Sequence, residues 1–107
     1  MKGAVSHEEY LIGALRKDKR FREAYLNEAL NEEDGRVSLL MLRHVAEALG
    51  GITKLSKITG LNRQNLHRTF SGKRDPAFST VEGIVHGLGF RFKIEAVKGG
   101  RKALAKA

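Results

Sequence analysis

Residues 51–76 read GITKLSKITGLNRQNLHRTFSGKRDP. Leu55 and Ile58 form a short apolar stripe, which predicts a helix over Thr53–Thr59 that Gly60 ends. Asn62 is of a type that caps helix starts, because its side-chain oxygen accepts from the free amides of the first turn. A second helix is then predicted over Arg63–Phe70, stopped by Gly72. On a 3.6-residue period Leu66 and Phe70, with Thr69 beside them, point inward. Arg63, Gln64, Asn65, His67 and Arg68 share the outer face. Residues 51–74 hold six basic side chains (Lys54, Lys57, Arg63, Arg68, Lys73, Arg74) and no acidic one. Repulsion makes such a segment costly unless water solvates it or an anionic partner uses it. A short helix, a glycine-containing turn and a second helix with a polar outer face make up the pattern of a helix-turn-helix.

In that motif the second helix enters the major groove of DNA. Arginine pairs with the two acceptors of guanine, and glutamine or asparagine with adenine. The candidate base-reading residues are therefore Arg63, Gln64, His67 and Arg68. The candidate phosphate contacts are Thr53, Lys54, Asn62, Asn65, Ser71, Lys73 and Arg74, whose charges or polar groups flank that helix. The bland reading is a solvated basic face on which Asn62 is a helix cap and nothing more.

Working outward, the chain of 107 residues fits one domain, with 41% apolar residues, enough for one modest core. It has no cysteine, which excludes disulfides and thiolate metal sites. The start, MKGAVSHEEYL, lacks the apolar run of a signal peptide, and no stretch is apolar enough to span a membrane, so a soluble cytoplasmic protein is expected. Charge is unevenly spread. Residues 1–36 carry seven Lys/Arg and eight Asp/Glu, a net −1; residues 37–107 carry thirteen and four, a net +9.

Ser6 and Glu9 fit a capping box for a first helix whose stripe is Tyr10, Leu11, Ala14 and Leu15. Asp18 caps a second, with Phe21, Ala24, Tyr25, Leu26 and Ala29 inward. NEEDG breaks it, and residues 1–36 are expected to pack on the core. Residues 37–89 form the helix-turn-helix domain. There Leu39, Leu42, Val45, Ala46 and Leu49 place a third helix over Val37–Leu49, which Gly50 caps. Ser79 or Thr80 starts a last helix that buries Val81, Ile84, Val85 and Leu88 and stops at Gly89. Residues 90–97, FRFKIEAV, alternate apolar and polar, the period of a strand. No second strand exists in the chain to pair with it. Antiparallel pairing with a second copy is expected, with Phe90, Phe92 and Ile94 at the dimer interface; the competing arrangement is a helix-mediated dimer with this segment folded back as an irregular arm. Residues 98–107 read as a basic flexible tail.

Catalysis finds no support, and no cofactor is expected. No serine or threonine stands with a paired histidine and carboxylate, and ALGGI is not followed by the lysine–serine pair of a phosphate loop. His7, His44, His67 and His86 fall on separate elements. His44 and Glu47 stand at i, i+3, but no third metal ligand is near them in sequence.

The stretch ITKLSKITGLNRQNLHRTFSG resembles the phage-repressor-like helix-turn-helix superfamily, through Leu55, Ser56, Gly60, Leu61 and Leu66 at the expected spacing. More narrowly, residues 20–97 are similar to the HigA-like addiction-module antidote proteins. The resemblance implies a mostly α, five-helix DNA-binding domain, here with an extra N-terminal helix. It further implies a dimer on a palindromic operator of double-stranded DNA, repression of its own operon, and an RNA-cleaving toxin partner. Two positions depart from the pattern. Ile52 replaces a common glutamine, whose contact is not carried over, and Thr69 stands where an aliphatic residue is frequent. Basic toxins disfavour the +9 half of the chain as their platform; residues 6–36 either offer one or simply cover the core. The alternatives are a regulator of the same fold with no toxin, and a basic adaptor that binds RNA or protein through residues 51–74.

Overall fold

The computed structural model describes residues 6–97, which form six α-helices and no strand. The helices are α1 (His7–Lys17), α2 (Lys19–Asn31), α3 (Gly35–Ala48), α4 (Gly51–Thr59), α5 (Arg63–Phe70) and α6 (Phe78–Gly87). Three starts follow the side-chain chemistry read above. Ser6 Oγ accepts from the Glu9 amide at 3.0 Å while Glu9 accepts from the Ser6 amide at 3.2 Å. Asp18 accepts from the amides of Arg20 and Phe21. Asn62 does the same for α5. Breaking NEEDG also starts the next helix, since Asp34 accepts from the Arg36 amide at 2.9 Å and caps α3. Among the described residues no helix is long and apolar enough to cross a membrane.

Helix α3 is the hub and touches α1, α2, α4 and α5, while α4 packs on α6. Leu15, Leu42, Val45, Leu66, Ile84 and Val85 are fully buried. Leu15 and Leu26 share one core cluster with Leu66 and Ile84, so the N-terminal helices and α4–α6 bury their apolar faces together. Gly87 permits the α4–α6 approach: a Cβ there would collide with Thr59 Cγ2 and come within 3.1 Å of Leu55 Cδ1. Gly87→Ala is expected to destabilise the fold by ~1–3 kcal/mol through this overpacking. Urea denaturation measures it, and an unchanged midpoint would mean that α6 slides freely.

The structure corrects several expectations. Tyr10 is largely exposed, because the buried stripe of α1 is Leu11, Ile12 and Leu15, rotated by about a residue. Ala24 is exposed on α2. Ile58 is 57% exposed, since α4 meets its neighbours through Leu55, half-buried Ile52 and Thr59. Helix α6 starts at Phe78, not at Ser79 or Thr80. Ala77 is its N-cap with no side-chain bond, and Ser79 and Thr80 lie within the first turn. Gly50, expected to close α3, precedes α4 as its N-cap, and Leu49 is the C-cap of α3.

Residues 90–97 take no regular structure in the single chain. The Phe90 amide donates to Val85 O at 3.1 Å, and residues 91–97 make no backbone–backbone bond to a described residue. A lone strand has nothing to form a ladder with, so the period-two pattern does not become a sheet here. Phe90 and Phe92 pack on the core, and Phe92 stacks on Phe78 at 5.4 Å between centroids. Ile94 lies off the core and is 95% exposed. The expected basic tail, residues 98–107, lies outside the described residues.

One polar cluster around the buried His44 joins the first three helices. With the His44 ring proton on Nε2, the Tyr25 hydroxyl donates to Nδ1 at 2.8 Å and Nε2 faces Glu8 at 3.3 Å. Arg43 closes the cluster against Glu8 at 3.1 Å. Burial pushes the Tyr25 phenol above its ordinary value, with Glu28 and Glu8 adding to the effect. A raised folded value means that the folded state holds its proton more tightly. Stability from Tyr25 is thus complete below the ordinary tyrosine range and falls as pH rises through the folded value. Tyr25→Phe is expected to remove that part of the alkaline loss. Urea midpoints at about pH 8 and 11 check it, since the drop between them should be smaller in Tyr25→Phe than in the wild type.

Candidate nucleic-acid interface

The α4–α5 connection is three residues, Gly60–Asn62, and its geometry is held by hydrogen bonds. Gly60 closes α4 with a φ of 80°, a left-handed conformation that glycine adopts without strain. Ser56 Oγ donates to Leu61 O at 2.6 Å. Thr59 Oγ1 donates to Leu55 O at 2.8 Å and accepts from the Leu61 amide at 3.0 Å. Asn62 Oδ1 then accepts from Gln64 and Asn65 amides at 2.7 and 3.1 Å, which fixes where α5 begins. Leu66 and Phe70 anchor α5 in the core, and Thr69 is half-buried beside them.

That anchoring leaves Arg63, Gln64, Asn65, His67 and Arg68 exposed on one face, as their spacing predicts. Two shallow crevices flank the helix. One, of about 560 Å³, brings together Ser56, Asn62, Arg63, Gln64 and His67. The other, of about 200 Å³, joins Asn65, Arg68 and Thr69 to Arg74 and Thr80. Of the remaining predicted residues, Thr53 and Lys54 are exposed on α4 and Lys73 is exposed after α5.

The arginines differ in what holds them. Arg16 donates to Ala48 O, Arg22 to Leu15 and Arg16 carbonyls, and Arg43 to Glu8. These side chains close helix ends and bind helices together. The side chains of Arg63, Gln64, His67 and Arg68 make no hydrogen bond or ion pair to another described residue. Their donors and charge face solvent, ready for an external acceptor.

Two of the expected phosphate contacts are narrowed by their bonds. Ser71 Oγ donates its proton to Arg68 O at 2.7 Å and accepts from the Lys73 amide. Its hydroxyl is spent on the end of α5 and donates to a phosphate only by giving up that bond. Asn62 has its oxygen engaged as a cap, which leaves its amide nitrogen as the donor. One feature of α4 went unread in the sequence. Helix α4 starts at Gly50–Gly51 with no side-chain cap, beside Thr53 and Lys54. Its signal was the glycine pair with no Ser, Thr, Asp or Asn at the helix start. Ile52 packs partly against the core.

The family described as "Probable addiction module antidote protein" matches this chain over residues 8–96. The chain belongs to that family. The match takes in α1 to α6 and most of the segment after α6, so the antidote family includes the N-terminal helices as well as the α4–α5 face. A protein of Haemophilus influenzae (strain ATCC 51907 / DSM 11121 / KW20 / Rd), named as an uncharacterized protein, is 29% identical over 73 residues. The alignment covers 68% of this chain and 74% of that one. No solved structure matches.

Proposed function

We propose that this antidote-family chain is an antitoxin that also binds DNA, with the outer face of α5 in the major groove of a palindromic operator, and represses its own operon as a dimer in the cytoplasm. The observation that carries the reading is the pair of unbonded arginines, Arg63 and Arg68, displayed with Gln64 and His67 on a helix whose position is fixed by Asn62 and Leu66. Arg63 and Gln64, at the start of the helix, read bases. His67 and Arg68 extend the contact. Thr53, Lys54, Asn65, Lys73 and Arg74 set the register on phosphates, supported by the open first-turn amides of α4. Asn62 and Ser71 act chiefly through the shape of α5. Neither catalysis nor a cofactor enters this function.

The antidote family supports a toxin as the second partner. A small basic RNA-cleaving toxin docks on the helices of residues 6–36, whose net charge does not repel it, while the α5 face holds DNA. Footprinting on the DNA upstream of its own gene tests the operator, and protection of a symmetric site is the expected result. An adaptor that binds RNA or protein through the same face would give none. Co-expression with the product of the neighbouring reading frame tests the toxin; absence of any such frame or rescue would leave a regulator without one.

Phosphate contacts have their own signature. Lys73→Ala is expected to weaken specific and random DNA alike and to reduce the salt dependence of binding by about one counterion. Titrations at several salt concentrations measure this. A loss confined to the operator would move Lys73 among the base readers.

A further inference from the structure

Residues 90–97 end the described chain with an apolar face only half used. Phe90 and Phe92 sit on the core, but Ile94, next in the same alternation, is 95% exposed. Backbone groups of residues 91–97 have no backbone partner among the described residues. Such a segment is an edge waiting for a strand. The structure points to one occupant with one register: we propose that the same segment of a second copy pairs with it antiparallel, with Ile94 on the two-fold axis.

Charge selects that register. Around a two-fold axis at Ile94, Ile94 opposes Ile94, Lys93 opposes Glu95 of the second copy, and Phe92 opposes Ala96. Symmetry makes two Lys93–Glu95 pairs, and no like charges stand opposite each other. Each neighbouring register fails. Centred on Lys93 it sets lysine against lysine, and centred on Glu95 it sets glutamate against glutamate. Centred on Phe92 it sets Arg91 against Lys93. Like charges directly opposite are destabilising. A slip by one residue in one strand puts Lys93 opposite Ile94 and mixes the two faces. Only the Ile94 register joins the two exposed isoleucines and keeps the faces apart. Phe78, 68% exposed and stacked on Phe92, gives each ribbon strand an aromatic support on its own subunit.

This inference rests on the dimer of the DNA-binding reading, deepens it by naming the interface and register, and is tested without DNA. The chain has no cysteine, so a single introduced one reports on its own partner. Opposed Cβ atoms in an antiparallel pair come close enough for a disulfide, whereas copies of a residue displaced from the axis do not. Under mild oxidation Ile94→Cys is expected to cross-link about tenfold more than Lys93→Cys or Glu95→Cys. By light scattering the wild type should have the mass of two chains at micromolar concentration. Lys93→Glu and Glu95→Lys should each weaken self-association about tenfold, since each turns two attractive pairs into repulsive ones. Mixing these two variants in equal amounts should restore the dimer, because every opposed pair is again of opposite sign. These side chains are exposed, so folding, followed by circular dichroism, should not change. A monomeric wild type, equal cross-linking at the three positions, or a mixture no more dimeric than its components would each overturn the proposal. Loss of operator binding with the dimer intact would instead count against the DNA reading alone.

Discussion

Alanine at Arg63, or separately at Gln64, is expected to weaken binding to the operator by ~1–3 kcal/mol, roughly 5- to 150-fold. The loss on random DNA should be much smaller. The reason is geometric. Both side chains stand at the start of α5, exposed and without a protein partner, on a helix start fixed by Asn62. A bidentate pair with a base edge is lost when either is truncated, and a correct sequence then gains less over an incorrect one. Binding isotherms on the footprinted operator and on a scrambled duplex of equal length measure both arms. If Arg63→Ala costs the same on each duplex, Arg63 touches phosphate and carries no sequence information. Exposure makes these substitutions clean, because neither removes a contact from the folded chain.

Leu66→Ala is expected to have the largest effect on stability, a loss of ~2–5 kcal/mol. Leu66 is fully buried and stands between the exposed Asn65 and His67 on the helix that carries the proposed readout. Truncation removes apolar contact and leaves a cavity where α5 meets the core. For a domain of this size the melting temperature should fall by roughly 10 °C or more. Ile58→Ala is the control. Ile58 is more than half exposed on the adjacent helix, and its truncation should cost well under half of the Leu66 loss. Calorimetry on the two variants decides it. Similar costs at the two positions would mean that α4 buries Ile58 against something beyond the single chain.

Much of this chain was legible because its signals are local. A capping oxygen acts within three residues, so Ser6, Asp18 and Asn62 mark helix starts without knowledge of the rest of the fold. Leu66 and Phe70 orient α5, and once they point inward the exposed set from Arg63 to Arg68 follows from the helical period. The family match over residues 8–96 agrees with the antidote resemblance read from residues 20–97.

Other features needed neighbours that the sequence does not specify at short range. Tyr10, Ala24 and Ile58 have apolar character, yet whether each is covered depends on how far a helix is rotated against its partners, and here all three face solvent. His44 shares a helix face with Glu47, but packing turned it toward Tyr25 and Glu8, residues 19 and 36 positions away in sequence, to join three helices. The hydroxyl of Ser71 became a helix-end bond only because Arg68 O and the Lys73 amide lie beside it. For residues 90–97 the alternating pattern was plain, but a strand exists only with a hydrogen-bonding partner, and the described residues hold none. Sequence by itself thus determined where the helices begin and which face of α5 is polar, because both depend on bonds and periods spanning a few residues. Tertiary structure alone decided which apolar side chains are covered and which polar groups are already spent, because both depend on atoms distant in the chain.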